Sequence, residues 1–218
     1  MTVLCWAKLP ESIDLCEIGR KVRLAFPNPQ NQEYINDIEA RGHTDSVAQS
    51  LCALLLLSEA FKEIEGQISE LLVLKRTENG KPYLENSSLC FSISHSHKYV
   101  VCALSDESEL GVDVETSPVA DEKAKKLAER FFNQEEKIRV TDNPQVFNRI
   151  WSEKEATAKF FGTPLGEYLA QARGSVPVSD KLSSTELICV DVDETSVIVC
   201  KEKGDGEIKL IKKTLKNI

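Results

Sequence analysis

The chain has no CxxC spacing. Its seven cysteines, Cys5, Cys16, Cys52, Cys90, Cys102, Cys189 and Cys200, are scattered and odd in number, which argues against a disulfide framework and against a zinc site. Most of them sit in apolar runs, as buried thiols do. No signal peptide is visible in MTVLCWAKLP, which lacks a basic start followed by a long apolar run, so none is expected. The longest uncharged helical run, Ser46 to Ser58, is too short to span a bilayer. Positive charge is scarce: 27 Lys and Arg against 35 Asp and Glu give a net charge of -8, which argues against a surface built to grip nucleic acid. Low-complexity segments, long linkers and identical repeats are absent as well. These absences predict a protein of the reducing cytoplasm with neither a membrane nor a nucleic acid as partner. What is present is ordinary for a globular chain: 218 residues, 28% charged and 41% hydrophobic, enough for one large domain or two small ones.

Alternation and helical periodicity divide the chain. Val3 to Ala7 reads as a strand apolar on both faces, and Lys21 to Leu24 as a second strand. Phe26 to Gln32 reads as a loop. Ser46 to Ile64 is a helix so apolar that it must form the core of the N-terminal half. Leu71 to Lys75, Phe91 to Ser94 and Tyr99 to Leu104 read as strands, with a turn at Glu78 to Pro82. Ala124, Leu127, Ala128 and Phe131 mark an amphipathic helix N-capped near Ser117 or Asp121, and Asn133 to Glu136 has the pattern of another helix start. Leu187 to Val192, Val197 to Lys201 and Glu207 to Lys212 close the chain as strands. The order predicts an α+β fold of two similar halves, residues 1–104 and 105–218, each a small, mainly antiparallel sheet packed on its own long helix.

Two stretches carry chemistry. In FNRIWSEKEATAKFFG, Phe147 to Gly162, the four-residue spacing puts Trp151, Glu155 and Lys159 on one helical face above an apolar stripe, with Lys154 at the wet boundary. A carboxylate and two ammonium groups beside an apolar anchor suggest an anion-and-metal site, although such Glu/Lys spacing also decorates solvated helices. Ser152 and Glu155 fit a capping box, but Asn143 followed by Pro144 is the better helix start and leaves Ser152 inside. In GVDVE, period two sends Val112 and Val114 inward and sets Asp113 and Glu115 side by side on the other face. Like charges that close repel unless a cation lies between them, and hard oxygen ligands suit magnesium; a lone D-x-E is also a common exposed strand face.

GKPY at 80 to 83, FSISHS at 91 to 96, GVDVE at 111 to 115 and WSEKEATAK at 151 to 159 stand in one order. Together the four resemble the motifs of 4′-phosphopantetheinyl transferases of the large, surfactin-type class, with Phe147 as the leading aromatic of the last and Arg130-Phe131-Phe132 as a further element. Ser92 stands where that family usually has Asn. The resemblance implies transfer of the 4′-phosphopantetheine arm of coenzyme A to a serine of an apo acyl or peptidyl carrier protein, releasing adenosine 3′,5′-bisphosphate. It implies magnesium held by Asp113, Glu115 and Glu155, and phosphate neutralisation by Lys154 and Lys159. Glu155, Glu136 or a water would be the base. Lys81, Pro82, Ser94 and His95 match nucleotide-contacting positions, while His97 has no counterpart and reads as a solvated loop histidine. Asn28 to Ala40 lacks the basic residues the family often places there, leaving Ser46, which also reads as a helix N-cap, and Arg41 with His43 to grip the nucleotide. About a hundred residues before GVDVE, with a long helix of their own, imply a monomer of two similar halves with the cleft between them. The same carboxylates and lysines would also serve a magnesium-dependent phosphohydrolase, and an inactive relative would only bind carrier protein or coenzyme A. Lys123, Lys125, Lys126 and Arg130 are the densest basic group near the expected cleft and read either as a carrier-docking patch or as a solvated helix face.

Overall fold

A computed structural model describes residues 1–173 and 183–214. The element order is β1 (Thr2–Lys8), α1 (Leu15–Ala25), α2 (Asn31–Glu39), α3 (Thr44–Ile64), β2 (Val73–Arg76), β3 (Pro82–Glu85), β4 (Cys90–Ser96), β5 (Tyr99–Ser105) and β6 (Leu110–Val114). It continues with α4 (Asp121–Phe131), α5 (Gln134–Asp142), α6 (Phe147–Phe161), α7 (Leu165–Arg173), β7 (Thr185–Val192), β8 (Thr195–Glu202) and β9 (Ile208–Lys212). The class is α+β. One sheet has the order β4-β5-β1-β9, another β6-β8-β7, and β2 and β3 form a hairpin. All pairings are antiparallel except that of β1 with β9, which sets Thr2 opposite Ile208. No described helix is long and apolar enough to cross a membrane.

Period two decides the layering. Val3, Cys5 and Ala7 of β1 and Val100, Cys102 and Leu104 of β5 pack on the leucines of α3. Leu4, Trp6, Val101 and Ala103, on the opposite face, pack on Val112, Val114, Val197 and Val199 of the second sheet. The far face of that sheet carries α6, through Ile198 and Cys200 against Ala156 and Phe160. The layers are therefore α3, first sheet, second sheet, α6. Each fully buried leucine of α3, such as Leu51, Leu56 and Leu57, contributes about 2 kcal/mol of burial. Among the seven free cysteines, Cys5, Cys52, Cys102 and Cys200 are buried, and burial pushes the thiols of Cys5 and Cys52 up to about 12.

Several local expectations change. Lys21 to Leu24 is helical, not extended, because Leu15, Ile18, Val22 and Ala25 recur at helical spacing and pack on the first core. The loop at 26–32 is shorter than expected, since α2 begins at Asn31. The α4 helix begins at Asp121 with Ala120 before it, so neither Ser117 nor Asp121 is its N-cap. Asn133 and Glu136 form the expected capping box of α5. Asn143 caps a 3-10 turn, Pro144–Val146, that runs into α6, and Gly162 closes α6 at φ 62. Gly111 lets β6 and α6 meet: a Cβ there would lie 1.9 Å from the Ala156 carbonyl oxygen and 2.5 Å from the Phe160 nitrogen.

Candidate active site

Close contact at Gly111 brings Asp113, two residues on, beside the face of α6 that carries Lys159. The Lys159 ammonium donates to Asp113 Oδ1 at 2.8 Å, Ser94 Oγ at 2.9 Å and the Val112 carbonyl at 3.0 Å, so all three of its donors are used. Ser94 also donates to Asp113 Oδ1, at 2.8 Å. Asp113 is 1% exposed, and its Oδ2 is buried with no partner. One turn back on α6, the Trp151 indole N–H donates to Glu155 Oε1 at 2.7 Å, and Glu155 Oε2 lies 3.7 Å from the Lys159 ammonium. Stacking of Trp151 on Phe147 and its edge contact with Phe131 hold the indole in place. Glu115 receives a hydrogen bond from Ser96 at 3.0 Å.

Electrostatics follow the crowding. Burial, reinforced by the charge of Asp113, pushes the Glu155 carboxyl up, against the pull of Lys159 and the Trp151 hydrogen bond. Burial likewise raises Glu115, with the Ser96 hydrogen bond opposing and Asp113 adding to the rise. His95 is lowered by desolvation of its ring, then by the charges of Lys159 and Arg41. A cavity of 280 Å³ is lined by Lys81, Pro82 and Phe91 together with Glu155, Lys159 and Pro164; Asp113, Glu115 and His95 are not among its lining residues.

The remaining expected residues are placed less uniformly. Lys81 lines the cavity but pairs with Glu109 at 2.5 Å and donates to the Phe160 carbonyl at 3.2 Å. Lys154, expected at a wet boundary, is 6% exposed; it pairs with Glu136 at 2.8 Å and lines a different cavity with Thr157 and Tyr168. Glu136 is thereby held by Lys154 and by the Asn133 backbone N–H. Ser46 is the third residue of α3, whose N-cap is His43, so the N-cap expectation is corrected. Arg41 is exposed and donates to Ser50 Oγ at 3.0 Å. His97 is exposed in the β4–β5 turn at φ 53. Lys123, Lys126 and Arg130 are exposed on α4.

Sequence reasoning passed over Arg76 and Tyr34. The Arg76 guanidinium lies 4.6 Å from the Tyr34 ring centre and donates to the Gly80 carbonyl at 3.1 Å. The Tyr34 hydroxyl is buried without a hydrogen-bond partner, and Arg76 and Arg41 both act on it electrostatically. Arg76 stands four residues before Gly80, and that closeness to GKPY was its only signal.

Among the described residues no three His, Cys, Asp or Glu side chains converge closely enough to hold a metal ion. Magnesium, however, keeps several waters and is usually bound through one or two carboxylates plus substrate phosphates. An orphaned oxygen on Asp113, and two further carboxyls raised by burial and mutual repulsion, suit such a hard cation.

Residues 109–207 match the family model described as the 4′-phosphopantetheinyl transferase superfamily. Residues 28–107 match one described as 4′-phosphopantetheinyl transferase, N-terminal. The chain is 33% identical over 167 residues to 4′-phosphopantetheinyl transferase gsp of Aneurinibacillus migulanus, covering 74% of this chain and 66% of that one. It is 30% identical over 159 residues to 4′-phosphopantetheinyl transferase AcpT of Salmonella typhi, covering 70% and 76%. It is also 30% identical over 123 residues to 4′-phosphopantetheinyl transferase Sfp of Bacillus subtilis, covering 51% and 53%. The matched part of the chain thus spans from about half to three quarters of these relatives.

Proposed function

We infer, for a chain that belongs to the 4′-phosphopantetheinyl transferase superfamily, that it moves the 4′-phosphopantetheine arm of coenzyme A onto a serine of an apo acyl or peptidyl carrier protein. The observation that carries this reading is the convergence of Asp113, Ser94 and Glu155 on Lys159, with Glu155 and Lys159 lining the cavity that also holds Lys81 and Pro82. The reading includes a single chain that carries the whole site, with residues 1–104 on the nucleotide side and 105–218 on the metal side, and an enzyme of the holo-acyl-carrier-protein synthase type.

In the reaction, the bond from the carrier serine oxygen to the β-phosphorus forms as the pyrophosphate bond breaks. Adenosine 3′,5′-bisphosphate departs. Asp113, Glu115 and Glu155 would hold magnesium, which neutralises charge on the pyrophosphate when bound. Lys159 lines the cavity and brings its positive charge near the phosphate oxygens, while its three donors stay on Asp113, Ser94 and the Val112 carbonyl. Glu155 is placed to take the serine proton; burial raises its carboxyl in the cation-free protein, and a bound cation would oppose that rise. His95, Lys81, Arg41 and Arg76 supply cationic or hydrogen-bonding groups for the nucleotide phosphates. Lys154, which pairs with Glu136 and lines a different cavity from the one that Lys81 and Lys159 share, enters as a brace between α5 and α6 and not as a phosphate partner.

The test is mass spectrometry of apo carriers from fatty-acid, polyketide and peptide-synthetase systems, incubated with the protein, coenzyme A and magnesium. A gain of one phosphopantetheine group on the carrier serine is expected. Carriers that stay apo while coenzyme A is hydrolysed would instead favour a phosphohydrolase.

A further inference from the structure

β4 and β6 are edge strands of different sheets, yet they lie against each other. Among the described residues neither has a backbone ladder on its outer side, and an open strand edge normally costs stability or invites another chain. Serine side chains of β4 bridge the gap. Ser92, Ser94 and Ser96 alternate with Phe91, Ile93 and His95, so period two sends all three hydroxyls to the face that meets β6. Ser92 Oγ accepts from the Val112 N–H at 3.0 Å. Ser94 Oγ donates to Asp113 Oδ1 at 2.8 Å. Ser96 Oγ donates to Glu115 Oε2 at 3.0 Å and accepts from the Thr116 N–H at 3.2 Å. A hydroxyl can donate and accept at once, which is what this junction requires of Ser96.

The upper rungs do more than join two edges. Ser94 and Ser96 each engage one oxygen of a β6 carboxylate, and the second oxygen of Asp113 is left without a partner. We propose that Ser96 is a positioning residue for Glu115: through its hydroxyl, and in parallel with Ser94 on Asp113, it fixes the carboxylate so that its other oxygen faces the cleft for a divalent cation. This rests on the transferase reading only in that the cleft takes a cation. It also gives Ser92, the departure from the family pattern, a task in the lowest rung.

The experiment compares wild type, Ser96→Ala and Ser96→Thr. It measures Mn²⁺ affinity by electron paramagnetic resonance, coenzyme A affinity without metal by calorimetry, thermal stability, and transfer to an apo carrier. Ser96→Ala is expected to weaken Mn²⁺ binding about tenfold. Coenzyme A affinity should stay unchanged, and Ser96→Thr, which keeps the hydroxyl, should return Mn²⁺ affinity close to wild type. Unchanged Mn²⁺ affinity in Ser96→Ala overturns the proposal, as does a loss that threonine does not repair or that accompanies an equal loss of stability and coenzyme A binding. A wild-type protein that transfers nothing, but whose Mn²⁺ affinity still falls in Ser96→Ala, would overturn the transferase reading and leave the positioning role standing.

Discussion

Asp113 is buried with its charge balanced on one oxygen alone, and Lys159 supplies most of that balance. Replacing Lys159 with Met strands a buried carboxylate. Because Lys159 is itself partly exposed, the expected loss is about 2–3 kcal/mol, at or below the usual range for breaking a buried pair. Asp113→Asn together with Lys159→Met should cost clearly less than the two single losses combined, and urea unfolding of all four proteins measures the difference. Strictly additive losses would mean that the pair is not coupled. Asp113→Asn alone is expected to slow transfer by about two orders of magnitude or more, the scale seen when one electrostatic group is removed from a reacting centre. Glu155 and Glu115 add a pH dependence. Their carboxyls are raised, so each keeps its proton to a higher pH than an ordinary glutamate, and a cation must displace that proton. Mn²⁺ affinity should therefore decline as pH falls through the mildly acidic range, beginning above the usual carboxylate range; a decline confined to that usual range would contradict the burial argument.

The contact between β6 and α6 allows two glycines to be contrasted. At Gly111 a methyl group would meet backbone atoms of α6, which cannot move without separating helix and sheet, so Gly111→Ala should cost about 3 kcal/mol or more. At Gly166, in α7, nothing lies within 4 Å of a built Cβ, and Gly166→Ala should stabilise by roughly 0.5–1 kcal/mol. Denaturant midpoints of the two variants, read at constant slope, test both signs at once. Elements with an undiluted period were legible in the sequence. The strands β1, β4, β5 and β6, the long α3 and the capping box of α5 all announce themselves by alternation, spacing or cap. The α1 helix was not read, because its pattern begins at Leu15, before the short run from Lys21 that looks extended by itself. At the site, spacing along α6 was enough to align Trp151, Glu155 and Lys159. It could not tell that Lys154, one residue from Glu155, turns to Glu136 on α5, nor that Arg76 covers Tyr34, because each of those pairings joins separate elements.

The protein as a whole is acidic, at -8, while α4 exposes Lys123, Lys126 and Arg130. An acidic carrier would meet long-range repulsion from the protein as a whole, and the basic residues of α4, interspersed with exposed Asp121, Glu122 and Glu129, offer it local positive charge. Reversing Lys125 and Lys126 to Glu should raise the KM for carrier strongly at low salt and weakly at high salt, with coenzyme A affinity unchanged. A carrier KM that does not move at low ionic strength would place docking elsewhere. The parallel pairing of β1 with β9 has a consequence of another kind. The ribosome makes β1 well before β9, which begins at Ile208. At roughly 5–20 residues per second, the two are separated by roughly 10–40 s of synthesis. During that interval β5 can emerge and cover one side of β1, but the side that β9 will take stays bare. A growing chain therefore carries an unpaired edge on its first sheet until its last described strand has been translated, and that edge is where a nascent-chain chaperone, or a neighbouring copy on the same message, would find it.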